Sequence, residues 1–139
     1  MNDNKIREIV AENGNDGRHF SITYACLEGT GLEVFVFGAL SNDFGIVTAH
    51  QDGLIVYLFP KLSTKSIKHK FAVMYNSITK LKIGKFLMWN NIEICFVHEN
   101  KVHKIKLKIS NLAVGIKGQK EEAQKLVAFL KQLKTDRNL

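Results

Sequence analysis

Ile92-Glu93-Ile94-Cys95-Phe96-Val97-His98-Glu99-Asn100-Lys101-Val102-His103-Lys104-Ile105-Lys106-Leu107-Lys108-Ile109 is the stretch that decides the fold. Apolar residues alternate with polar or charged ones through most of both halves, the period of a strand with one face buried. Ile92, Ile94 and Phe96 share one parity, and Ile105, Leu107 and Ile109 share the other. Antiparallel partners keep a constant sum of residue numbers, so a hairpin pairing Ile94 with Leu107 brings all six onto one face. Its loop is then Asn100-Lys101, His98 faces His103, and Glu93 sits opposite Lys108, a favourable cross-strand pair. A slip of two residues, with the loop at Glu99-Asn100, keeps the same faces. In either register Lys104, Lys106 and Lys108 line the solvent side.

Upstream, strand-like runs follow one another: Glu33 to Leu40, Phe44 to His50, Gly53 to Pro60, Ile67 to Tyr75, Ile78 to Lys82 and Phe86 to Val97. Turn signals punctuate them at Ser41-Asn42-Asp43, Gln51-Asp52-Gly53, Gly84-Lys85 and Asn90-Asn91. Short strands with such spacing predict an antiparallel sandwich or barrel. Asp52-Gly53 is a hairpin signal, because both residue types accept positive φ. Downstream, Ala123, Leu126, Val127, Leu130 and Leu133 form an apolar stripe at helical spacing between Lys120 and Leu133. Glu121 and Glu122 near its start, with Lys131 and Lys134 near its end, complement the helix dipole. Such a helix needs a sheet to pack on.

The N-terminal part reads differently. Asn4 to Glu12 has the spacing of a short helix, and Asn13 to Gly17 breaks the chain. From Arg18 to Leu27, Phe20, Tyr24 and Leu27 have helical spacing, although the β-branched and aromatic content also suits a strand. The reading leans to a helix. Residues 1–30 are therefore expected to form a helical extension and residues 31–135 the β-rich domain.

The 139 residues suit one domain with a real core, at 45% hydrophobic and 24% charged. The polar N-terminus carries no stretch suited to a signal peptide, and no apolar run approaches the roughly 18 residues that span a bilayer. Cys26 and Cys95 lie far apart with no CxxC spacing. The expectation is a cytoplasmic protein with reduced thiols, peripheral at most to the inner membrane face. The formal charge of +7 is unevenly spread: from Pro60 to Lys120 there are thirteen lysines against two acids, Glu93 and Glu99, a balance of +11 that leaves −4 elsewhere. A partner could feel that asymmetry.

A run of strands closed by one amphipathic helix resembles the bacterial pleckstrin-homology-like family. The matching pieces are Gly45-Ile46-Val47-Thr48 leading to Gly53-Leu54-Ile55-Val56-Tyr57, then Phe71 to Leu81, where Tyr75-Asn76-Ser77-Ile78-Thr79-Lys80-Leu81 fits an aromatic-plus-polar turn into an I-T-x-L strand. The likeness runs from about Leu27 to Leu133. It implies a scaffold without catalytic residues and ligands that vary widely: peptides, proteins, membranes, or the domain's own copies. Relatives that bind phosphoinositides often carry a basic, arginine-containing motif in the first hairpin loop. The nearest cations here, Lys61, Lys65, Lys68 and Lys70, are looser phosphate binders than arginine, so headgroup specificity is not implied.

Motifs for enzyme chemistry are missing from the sequence: no GxSxG, HExxH, P-loop or GxGxxG, and few acids in the strand region to pair. His19, His50, His69, His98 and His103 are scattered, and no metal site or cofactor is expected. Lys68 and Lys70, Lys80 and Lys82, and Lys104, Lys106 and Lys108 form alternating rows. Rows lying side by side would make a cationic face suited to an anionic bilayer, and otherwise a solvated face that discourages aggregation. Phe86-Leu87-Met88-Trp89, flanked by Lys85, reads either as packing with an edge cover or as an exposed membrane or docking tip. Nucleic-acid binding is not expected, because arginine is scarce and aromatics do not interleave with the lysines. The expectation is a non-enzymatic binding module for a protein or peptide partner or an anionic membrane surface. Its alternative is a self-assembling or scaffolding domain, including a small protective protein against membrane-active peptides.

Overall fold

The structure, a computed structural model, describes residue 8 and residues 20–30, 43–59, 69–111 and 118–139. Seven strands pair into one antiparallel sheet. They are β1 (Ser21–Thr30), β2 (Asp43–Ala49), β3 (Gly53–Leu58), β4 (His69–Met74), β5 (Ile78–Phe86), β6 (Trp89–His98) and β7 (Lys101–Ser110). Their spatial order is β4-β3-β2-β1-β7-β6-β5, and one helix, α1 (Gln119–Asp136), follows. The molecule is mostly β with a C-terminal helix, consistent with a pleckstrin-homology-like sandwich capped by that helix.

Strand β1 organises the sheet. Its first seven residues pair with β2, and only Cys26 to Thr30 pair with β7. Where β7 is absent, α1 supplies the partners. Gln119 Oε1 accepts from the Tyr24 amide at 3.2 Å, and its Nε2 donates to Tyr24 O at 2.9 Å and Ser110 O at 3.1 Å. Glu122 Oε2 accepts from the Ile22 amide at 3.1 Å. The helix therefore stands in for a strand along half of β1, satisfying backbone groups that would otherwise be buried unpaired. Gly118, at φ 77°, makes the left-handed entry to that helix.

Inward residues of all seven strands and α1 make one core, from Leu27, Val47, Val56 and Val73 through Leu81, Ile94 and Leu107 to Leu126 and Leu130. Gly45 is required within it: a Cβ there would lie 2.5 Å from Tyr57 O. A smaller buried cluster, Ile22, Ile46, Tyr57 and Phe59, occupies the opposite face of β1 to β3.

Several expectations change. The helix favoured for Arg18 to Leu27 is overturned from Ser21 onward, because Ser21–Thr30 is the central strand. Pairing with β2, joined by β7 from Cys26 onward, overrides the helical spacing of Phe20, Tyr24 and Leu27. A domain boundary after residue 30 would leave β1 outside the β-rich unit, although it pairs with β2 and β7 of that sheet. The helix expected over Asn4 to Glu12 and the strand over Glu33 to Leu40 lie outside the described residues, apart from Glu8. The final hairpin takes the second register, with Ile94 opposite Ile105 and Glu93 opposite Lys106. Its loop residues Glu99 and Asn100 have φ 51° and 64°, the pattern of a tight two-residue hairpin turn. The β2–β3 hairpin turns through Gln51-Asp52, with neither Asp52 nor Gly53 at positive φ. Gly53 instead answers crowding, since a Cβ would lie 2.6 Å from Val73 O.

Candidate functional site

The β5–β6 hairpin does not turn where the turn-forming residues stand. Asn90-Asn91 and Gly84-Lys85 were expected as turns, yet they face each other within the strands, Gly84 opposite Asn91 and Lys85 opposite Asn90. The turn falls at Leu87-Met88, with Phe86 paired to Trp89. Burial decides this. Only this register sets Leu81 opposite Ile94 and Ile83 opposite Ile92, which keeps the apolar partners together on the core side. Asn90 is buried and donates from Nδ2 to Ile109 O at 3.3 Å and Asn111 Oδ1 at 2.8 Å. A turn at Asn90-Asn91 would forfeit both. The consequence is a tip made of apolar residues: Phe86, Leu87, Met88 and Trp89 are 68%, 76%, 44% and 41% exposed. Leu87 takes φ 54°, a region unfavourable for a side chain of its kind.

Behind the tip, the outward face of β5, β6 and β7 carries the lysines. Lys82, Glu93 and Lys106 form one row across the three strands, and Lys80, Cys95 and Lys104 the next. The two lysine rows on β5 and β7 are thus separated by β6, which contributes Asn91, Glu93 and Cys95 between them. Lys104 Nζ meets Glu93 Oε1 at 3.1 Å. That bond, with the charges of Lys104, Lys82 and Lys106, holds the Glu93 carboxyl below the usual glutamate range. Lys85 is exposed one pair below the tip. Lys70 stands apart on β4, at the other edge of the sheet, with its ammonium 5.7 Å from the centre of the Tyr57 ring. Lys61, Lys65 and Lys68 lie outside the described residues.

Among the described residues, two adjoining clefts open on this face. One of about 580 Å³ is lined by Cys26, Phe44, Phe86, Trp89, Asn91 and Lys108. The other, of about 440 Å³, adjoins it through Asn91 and Lys108 and extends over Gly84 to Lys82, Glu93 and Lys106. Phe44 reaches the first because β2 carries it beside Cys26, which in turn pairs with Lys108. Its ring stacks on Tyr24, centroids 5.9 Å apart. Burial, with the neighbouring Cys26, pushes the Tyr24 phenol up, so it stays neutral. Gly84 leaves the second cleft open: a Cβ there would meet nothing within 4 Å.

Of the residues singled out from sequence, Lys82, Lys85, Trp89, Lys106 and Lys108 come together around tip and clefts, with Lys80 and Lys104 one row further along. Cys26, Phe44, Gly84 and Asn91 were missed. Their sequence signal is slight, because outward residues of β2, β1, β7, β6 and β5 become neighbours only through strand pairing. His98 and His103 are neighbours, ring centres 6.2 Å apart, but His98 pairs with Lys101 and His103 with Phe96. Among the described residues no three of His, Cys, Asp and Glu are grouped to hold a metal ion. Nor is any described helix long and apolar enough to cross a membrane. Comparison with protein-family models, curated proteins and solved structures finds no match to this chain.

Proposed function

We propose that this chain is a non-enzymatic, pleckstrin-homology-like binding module that docks on an anionic membrane surface. The β5–β6 tip enters the interface and the lysines of β5 and β7 meet the lipid charge. The observation that carries this reading is the tip itself, four consecutive exposed apolar residues ending in tryptophan and preceded by Lys85. Isolated surface apolar residues are ordinary, whereas a contiguous apolar tip with cations around it suits a lipid interface. Each lysine near such a surface contributes on the order of 1 kcal/mol, and an inserted apolar side chain adds roughly 1.5–3 kcal/mol when fully removed from water. Neither term alone gives firm attachment; together they do.

The test is sedimentation with vesicles of phosphatidylcholine alone or mixed with phosphatidylglycerol, at low and high salt. The protein should pellet with the mixed vesicles at low salt and be released as salt rises. Replacing Lys82, Lys106 and Lys108 by Gln should weaken binding by roughly fivefold per site, with the melting temperature little changed. Protein that stays in the supernatant with anionic vesicles at low salt would overturn the membrane reading. The same face would then be left for an acidic protein or peptide partner.

A further inference from the structure

A flat cationic surface would suffice for docking, yet this face is not flat. An apolar, aromatic-walled cleft and a more polar, lysine-lined cleft share Asn91 and Lys108. Both volumes, about 580 and 440 Å³, fall in the range of roughly 300–1,000 Å³ that small-molecule sites occupy. An occupant of the pair needs an apolar part and an anionic part joined directly. We propose that the paired clefts hold one molecule of anionic phospholipid. Its phosphate lies over Gly84 among Lys82, Lys106 and Lys108, and its acyl chains run along Phe44, Phe86 and Trp89. The inference rests on the membrane reading above, and gives it a binding site in place of a diffuse surface.

Several features of the site fit that occupant. Lysines surround the polar half, which therefore reads negative charge and not headgroup identity. Glu93, bonded to Lys104, stands at the edge of the polar half and disfavours an anionic headgroup less than its position suggests, because three lysines offset it. Asn91 lies at the junction, with both a donor and an acceptor for an ester or phosphate oxygen. The aromatic walls converge from three strands, since Phe44 is on β2, Phe86 on β5 and Trp89 on β6. Such walls are held apart by the sheet and do not depend on a single loop.

Gly84 offers a clean perturbation. It is an outward strand residue at ordinary φ with open space where a side chain would go, so Gly84→Val should fold and fill the polar cleft. Trp89 is the only tryptophan and lines the apolar cleft, so its emission reports occupancy directly. The probes are dihexanoylphosphatidylglycerol and dihexanoylphosphatidylcholine below their micelle concentrations, and inorganic phosphate. A saturable blue shift is expected with the glycerol lipid, roughly tenfold weaker with the choline lipid and absent with phosphate. Gly84→Val should weaken the response to the glycerol lipid by roughly tenfold or more, with the melting temperature little changed. No saturable shift, equal response to both lipids, or an undiminished response in Gly84→Val would overturn the single-lipid site. Sedimentation of the parent chain tests the docking reading separately. Pelleting without a monomer response removes this inference alone, and a monomer response without pelleting removes docking alone.

Discussion

Leu87 bears the local cost of the tip. A left-handed conformation costs an L-residue with a bulky side chain roughly 1–2 kcal/mol, which glycine avoids. Asn100, in the other tight hairpin, takes the same region with a residue type that tolerates it, whereas Leu87 does not suit it. Local rules are broken most often where function asks for it. Leu87→Gly should therefore stabilise the fold, by on the order of 0.5–1 kcal/mol after the added freedom of the unfolded chain, and weaken vesicle binding by roughly tenfold. Urea unfolding and sedimentation on one sample read both effects. Unchanged vesicle affinity would mean that the tip does not insert.

At the level of elements, the helix and β1 depend on each other. Gln119 is buried and makes three bonds to the backbone of β1 and β7, so Gln119→Ala leaves an amide and carbonyls without partners. The expected loss is about 2–3 kcal/mol in urea unfolding, against less than about 0.5 kcal/mol for exposed Gln124→Ala. The far end of α1 is tied as well. Lys134 Nζ donates to Leu81 O on β5, and Arg137 donates to Tyr75 O in the turn between β4 and β5. Tyr75, whose phenol donates to His50 O at 2.6 Å and is pushed up by burial, anchors that turn from the other side. A destabilised Gln119→Ala protein that still binds vesicles once folded would keep the helix a structural element, separate from the lipid-facing surface. Equal stability of the two variants would refute the account of β1.

For the whole molecule, charge couples the fold to the face it presents. Glu93 has a carboxyl held low by its bond from Lys104 and by the surrounding lysines, so its stabilising contribution is fully present above the ordinary glutamate pKa. It is lost as pH falls through the lowered folded value. Protonation also removes the negative charge at the centre of the lysine face. Affinity for anionic vesicles should rise in that acidic window, and Glu93→Gln should show the higher affinity already at neutral pH. A Glu93→Gln protein that binds vesicles as the parent does would exclude this coupling. The strand alternation, the closing helix and the lysine rows were legible in the amino-acid order, because each depends on periodicity within one element or one hairpin. The helical spacing in Phe20, Tyr24 and Leu27 misled, since a strand paired with β2 and, from Cys26 onward, with β7 is stabilised by partners remote in sequence. The Asn90-Asn91 turn signal failed for the same reason: burial of Leu81, Ile83, Ile92 and Ile94 outweighs local turn preference. By itself the sequence determined a mostly β chain with a cationic middle and an amphipathic end. Only the tertiary structure decided that Leu87-Met88 is the tip and that Cys26 and Phe44 meet Lys108 and Trp89. Strand order and register are fixed by the shared core, which no single segment contains.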